Sequence, residues 1–343
     1  MISSLANFPV PNPKLKGRNL FRIALLMAAV LVLTCTLIRP VFAVEGGKGF
    51  YLLGSKTNMA GILPSEGVYF AIPILFYTGD LGSSESLPLG GTLDFGVEAT
   101  SIVPMPTVLW VTSNKVLGGD VAFNFTVPFG YQDVTADVSV AFPGLGFGAA
   151  ESLSDDRFEV GDPVAGVSIG WHQSNLHWSL NTLVNIPVGN YDTDRLANLS
   201  FNRWGVDVTT AATWLDTTTG WELSSAVGLT FNGENSDTDY ESGTEFHLEA
   251  AVSRFLSPAF SIGLNGYYYQ QITDDKTSDP TFGDFKGRVL TVGPVATYNF
   301  KMGSMAVSTS LKYFREFSAD NRAEGDIVLF QVAFPLWSPP SGG

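Results

Sequence analysis

From Val289 to Phe300 the chain reads VLTVGPVATYNF, and its side chains alternate strictly. Leu290, Val292, Pro294, Ala296, Tyr298 and Phe300 fall on one side; Thr291, Gly293, Val295, Thr297 and Asn299 fall on the other. A period of two places successive residues on opposite faces of a β-strand. Here one face is large and apolar and the other is small or polar, the reverse of a soluble barrel with its apolar face inward. Such strands suit an all-β chain closed into a transmembrane antiparallel β-barrel, with lipid outside and a polar lumen.

The same beat runs through most of the chain after residue 90. Phe246, Leu248, Ala250 and Val252 point outward, with Glu245, His247 and Glu249 inward; Trp204, Val206 and Val208 oppose Asp207 and Thr209. Asp207, Glu245, His247, Glu249, Asn265 and Tyr267 are therefore the candidate lumen contacts. Short connections near Gln173–Asn175, Asp216–Thr219, Ser257–Pro258 and Met302–Ser304 alternate with long polar ones near Phe142–Asp162, Gly189–Phe201, Asn232–Gly243, Thr273–Lys286 and Ser318–Gly325. Short turns mark the periplasmic end of an outer-membrane barrel. Trp171, Trp178, Trp214, Trp221 and Trp337 all lie beside that end, as an interfacial girdle would.

With both termini periplasmic the strand number is even. Fourteen strands need a turn at Pro104–Pro106 and make Gly67–Tyr77 the first strand; twelve make Gly91–Thr112 one long strand and send residues 44–90 elsewhere. Fourteen is the count preferred on sequence. The barrel then covers residues 67–337, a glycine-rich segment at 44–66 is a candidate lumen plug, and 338–343 is a tail.

Residues 1–43 read as a cleaved signal peptide: Lys14, Lys16, Arg18 and Arg22, an apolar run from Ile23, then Val41-Phe42-Ala43. Cys35, the one cysteine, leaves with it, so no disulfide supports the mature chain. Removing five basic residues moves the net charge from −14 to −19. A surface this acidic repels nucleic acid and favours cations. No long apolar stretch follows residue 43, which excludes helical spans.

Candidate chemistry is sparse, and no cofactor is expected. Gly166-Val-Ser168-Ile-Gly170 matches a nucleophile-elbow spacing, but Ser168 falls within a strand rather than at the strand-to-helix turn that chemistry needs. His177, Ser179 and Asn175 share a face and form the one constellation for a membrane-embedded lipid hydrolase. His172, His177 and His247 sit on separate strands with no metal spacing. Asp237, Asp239 and Glu241 offer oxygen ligands in an outer loop, where a divalent cation would bridge to lipopolysaccharide phosphates; Asp274, Asp275 and Asp279 add to that rim. Pro294 cannot donate a ladder hydrogen bond and marks a strand kink, through which an apolar solute would leave the lumen.

Several segments together carry a family resemblance: EGGKGFYLLG from Glu45, AGILP from Ala60 ahead of Gly67-Val-Tyr69, NGENSDTDYESG from Asn232, GYYYQ from Gly266, Gly293-Pro294, and NRAEG from Asn321. The chain resembles the outer-membrane family named for the meta-pathway of phenol degradation, which includes sphingosine-induced porin-like proteins. The resemblance implies a signal peptide, a barrel in the bacterial outer membrane among lipid and lipopolysaccharide, and passive uptake of small hydrophobic or aromatic compounds rather than catalysis. A general cation-preferring porin is the alternative within the same fold.

Overall fold

A computed structural model describes residues 49–87, 90–277 and 286–340. The expected signal peptide, the start of the 44–66 segment, Asp279 and the end of the tail lie outside these residues.

Twelve strands close into one antiparallel ring. β1 is Gly67–Leu87; β2 comprises Gly91–Pro104 and Thr107–Val116; β3, Gly119–Thr126 and Phe129–Phe142; β4, Phe147–Val160 and Val164–Gln173. β5 to β8 are Leu176–Asn185, Gly205–Asp216, Trp221–Asn232 and Glu245–Ser257. β9 to β12 are Phe260–Gln271, Arg288–Met302, Met305–Asp320 and Glu324–Trp337. β12 pairs back onto β1 from Val68 opposite Trp337 to Asp80 opposite Glu324, which leaves no open edge along the ring.

Of the two counts the sequence admits, the ring has twelve. Both segments of β2 pair with β1 in one unbroken register, Leu87 opposite Gly91 and Gly67 opposite Val111. Pro104–Pro106 therefore breaks a strand without reversing it. Gly67 nonetheless opens the first strand, as the fourteen-strand reading has it. The count falls to twelve because β3, like β2, is one long strand broken once; β4 is also broken once, but its first part adds no strand to the count, since it extends Val164–Gln173.

Those breaks share one level. Single backbone hydrogen bonds cross it: Met105 to Pro73 (2.8 Å), Val127 to Pro106 (3.1 Å), Gly161 to Pro128 (2.9 Å) and Ile186 to Pro163 (3.0 Å). Prolines without N–H groups thin the ladder along this row. At Pro294, by contrast, β10 runs unbroken, and Val292 opposite Arg315 and Val295 opposite Lys312 keep one register with β11. The Tyr313 carbonyl fills the place a Cβ on Gly293 would take, so the two backbones are close there.

The opening stretch behaves as its alternation requires. Leu290 and Val292 are exposed on the outside, while Val289, Thr291 and Val295 are buried. Around β1 to β4 the apolar outer band stops at one row: Phe76, Ile102, Tyr131 and Phe158, all exposed and paired in sequence across the four strands. The next outward row is Thr78, Thr100, Asp133 and Asp156, and the one after it Asp80, Glu98, Thr135 and Ser154. Past this boundary β1 to β4 continue as a four-stranded extension, and its inner face turns apolar, with Leu81, Val97, Ala136 and Leu153 in one row. Residues 147–160, expected within a long loop, are thus a strand. Outside lipid the outward positions are polar, and the alternation that identifies membrane strands is inverted.

At the short-turn end, Trp171 and Trp178 stack with ring centroids 6.2 Å apart, and Trp214, Trp221 and Trp337 are exposed. Amphipathic indoles favour such an interface.

Candidate functional site: the lumen and its strap

Residues 49–66 run inside the barrel, and we call them the strap. At the long-loop end, Gly49 lies against Glu245 and Phe50 against Gly205. At the short-turn end, the Met59 N–H donates to Glu222 (2.7 Å), the Gly61 N–H donates to Thr213 (3.0 Å), and Leu63 packs on Gly170. The strap therefore spans the lumen before joining β1 at Gly67.

All six candidate lumen residues lie on the inner face, each at most 3 % exposed. Period-two placement on β8 brings Glu245, His247 and Glu249 into one column, with Asp207 facing them from β6. His247 Nε2 is 2.9 Å from Asp207 Oδ2, and Asp207 also accepts from Thr230 (2.7 Å) and Thr209 (2.5 Å). Tyr51 of the strap stacks on the His247 ring at 3.8 Å. Glu249 accepts the Lys56 N–H (2.8 Å), Lys56 Nζ donates to Asn181 (3.0 Å), and Glu245 accepts from Asn232 (2.8 Å). Buried charges of this kind persist only where they are paired or hydrogen-bonded.

Asn265 and Tyr267 sit one strand further round. Thr57 of the strap donates to Asn265 (3.2 Å), while Asn265 Nδ2 donates to the Gly293 carbonyl (2.8 Å). The Tyr267 hydroxyl donates to Glu316 (3.0 Å), which also accepts from Arg322 (3.3 Å). Lys312 was not singled out on sequence, yet its Nζ donates to the carbonyls of Gly54 (2.8 Å) and Ser55 (3.1 Å). Strand parity was the available signal: Lys312, Phe314 and Glu316 are inward beats of β11. The candidate residues thus hold a segment of their own chain.

The family model described as "Putative MetA-pathway of phenol degradation" matches residues 79–331. The chain belongs to this family. It is similar in structure to an outer membrane channel from Pseudomonas putida F1, with a TM-score of 0.60 and 16 % identity over 82 % of this chain and 98 % of that one. That likeness establishes the fold as an outer-membrane β-barrel. Weaker likenesses are to a Pseudomonas aeruginosa FadL homologue (TM-score 0.38, 10 % identity, 81 % of this chain and 92 % of that) and to the CymD monoaromatic hydrocarbon channel (0.40, 8 %, 86 % and 96 %). No curated protein matches the sequence.

In this member of the phenol-degradation family the other candidate sites are dispersed. Ser168 lies within β4 and donates to Asn181 (2.8 Å); Ser179 accepts from Asn181 (3.0 Å). His177 instead meets His172 across the β4–β5 hairpin, Nδ1 to Nδ1 at 2.8 Å, so two histidines expected to be unrelated are neighbours. In the outer loops Asp237 accepts from Asn202 (2.9 Å) and Glu241 pairs with Lys276 (2.7 Å), while Asp239 takes a left-handed turn position. Among the described residues no three His, Cys, Asp or Glu side chains converge as a metal site. Asp275 joins these loops, accepting from Tyr240, from the Gly243 N–H (2.7 Å) and from Gln271 (2.5 Å); burial raises its pKa above the usual carboxylate value.

Gly54 has φ +84°, and a Cβ there would sit 2.7 Å from the Phe314 ring. Gly54→Ala should therefore loosen the strap, through both left-handed strain and the clash. Amide exchange of residues 51–61 should rise at least tenfold, with the barrel amides unchanged.

Proposed function

We propose that this chain is an outer-membrane channel for small apolar or aromatic solutes, delivered past residues 1–43 as a cleaved signal peptide and closed at rest by the strap. The observation that carries the reading is the polarity reversal above the Phe76 row. A wall standing in water with polar residues outside and Leu81, Val97, Ala136 and Leu153 inside leads an apolar solute toward the mouth. Membership of a phenol-degradation family and the channel fold support it, as does the inward network, which seats a segment of chain. Lipid and lipopolysaccharide surround the outer band.

Two measurements test the reading. Cells expressing the protein should take up labelled toluene at least fivefold faster than cells without it, with glucose uptake unchanged. The purified protein in a planar bilayer should pass little steady current while the strap is docked. Persistent cation-selective current with equal gain for glucose would make it a general porin instead. Absence of both current and uptake would overturn the channel reading.

A further inference from the structure

Tyr267, Tyr269, Val289, Phe314 and Ile327 form a buried cluster inside the lumen, with Leu75, Tyr77 and Ala319 packed around it. One strap side chain completes it: Leu53. Three features set this cluster apart from ordinary packing. Three of its five side chains are aromatic, with the Tyr267 and Phe314 rings 5.3 Å apart, and Tyr77 packs a fourth ring against them. Two of its rings are held by groups other than Leu53, Tyr267 through Glu316 and Tyr269 beneath the Arg322 guanidinium at 4.8 Å. And it is roofed by an open cavity of about 320 Å³ at the mouth. Leu81, Ala319 and Arg322 line that cavity; Ala319 also packs on the cluster, and Leu81 belongs to the apolar inner face of the extension. The cavity, lined also by the charged Asp80, Arg315 and Glu324, thus lies between the extension and the place Leu53 fills. That cavity is within the size range of small-ligand sites.

We infer that the aromatic cluster is the solute-binding site, that Leu53 fills it as a stand-in for a small aromatic ring, and that solute and strap compete for it. The inference rests on the channel reading above and names the site where its solute binds. A leucine side chain and a benzene ring are of similar bulk, and each gains chiefly by leaving water for an apolar enclosure. Once Leu53 is displaced, the strap next to it keeps the hydrogen bonds of Gly54 and Ser55 to Lys312 and of Thr57 to Asn265, which water can replace. Tyr51, Ala60 and Leu63 retain their own seats.

Hydrogen exchange on the full chain in detergent, with toluene as the probe and glucose as the control, tests it. Toluene should accelerate exchange of the strap amides around Leu53, including those of Ser55 and Lys56, at least tenfold and saturably, with β5 amides unaffected and glucose inert. Leu53→Ala, with a weaker resident, should reach half-maximal release at a toluene concentration at least tenfold lower. Unchanged strap protection in the presence of toluene would overturn the inference, as would equal toluene requirements for the two proteins. If toluene uptake persists while strap protection is unchanged, the channel reading stands and this site falls. Strap release without any toluene uptake would support the site and overturn the channel reading.

Discussion

Replacing Lys312 by methionine should open the lumen. Lys312 is 4 % exposed, and its ammonium donates to two successive strap carbonyls, those of Gly54 and Ser55. Methionine keeps the apolar length of the side chain and removes the charge. Hydrogen bonds from a charged donor contribute about 1.5–3 kcal/mol each, and two on adjacent carbonyls do not add fully. A loss of about 2–4 kcal/mol multiplies the undocked population of the strap by roughly 30 to 1,000, since about 1.4 kcal/mol is a factor of ten. In planar bilayers, brief rare openings should become sustained current, and strap amides should exchange faster by a comparable factor. The ring ladder is untouched, so the heat-dependent gel mobility of the folded barrel should be retained. A Lys312→Met protein with wild-type current and wild-type strap protection would show that the strap is held elsewhere.

The barrel was legible because a membrane strand advertises itself. Lipid outside and polar lumen inside force opposite chemistry onto alternate residues, and Val289–Phe300, Thr244–Val252 and Trp204–Ala212 show it most clearly, with small inward valines and alanines and the outward Thr210 as the departures. Facing was therefore readable to the single residue, and Asp207, His247 and Glu249 point inward as that rhythm demands. Legibility ended where the environment changes. Above the Phe76 row both faces meet water, the apolar face moves inside, and Phe147–Val160 reads as a polar loop. Strand number was ambiguous for a related reason. Proline and glycine at 104–106, 127–130 and 161–163 carry the same local signal whether a strand turns or merely breaks, and only pairing to β1 distinguishes them. The lumen site was half visible. Parity found the wall residues, but contacts such as Thr57 with Asn265 join positions 208 apart in sequence, beyond any local pattern.

Asp162 is the second residue whose loss should be severe, and it lay unread at the end of a supposed loop. It is 1 % exposed and sits in the break of β4, where the extension meets the barrel. Its carboxylate accepts from Asn185 Nδ2 (3.0 Å), the Gly189 N–H (2.9 Å), the Ser200 hydroxyl (2.6 Å) and the Phe201 N–H (2.8 Å). Both ends of the connection between β5 and β6 are thereby tied to one side chain. The middle has its own tether: Arg195 pairs with Asp155 at 2.6 Å, and the Leu199 N–H donates to Glu159 at 3.1 Å. Alanine at 162 would leave four donors without their acceptor, two of them backbone N–H groups, at a cost of about 3–5 kcal/mol. Such a loss exceeds what the Arg195 pair supplies on a partly exposed surface, about 0–1 kcal/mol. The connection should then lift from the mouth, and trypsin should cut after Arg195 at least tenfold faster in Asp162→Ala than in the parent. Asp162→Asn keeps one acceptor oxygen and turns the other position into a donor facing donors, so its cleavage should fall between the two. Equal protease resistance in all three proteins would mean that the Asp155 and Glu159 contacts alone hold the connection down, and that the row of proline breaks needs no carboxylate to fix it.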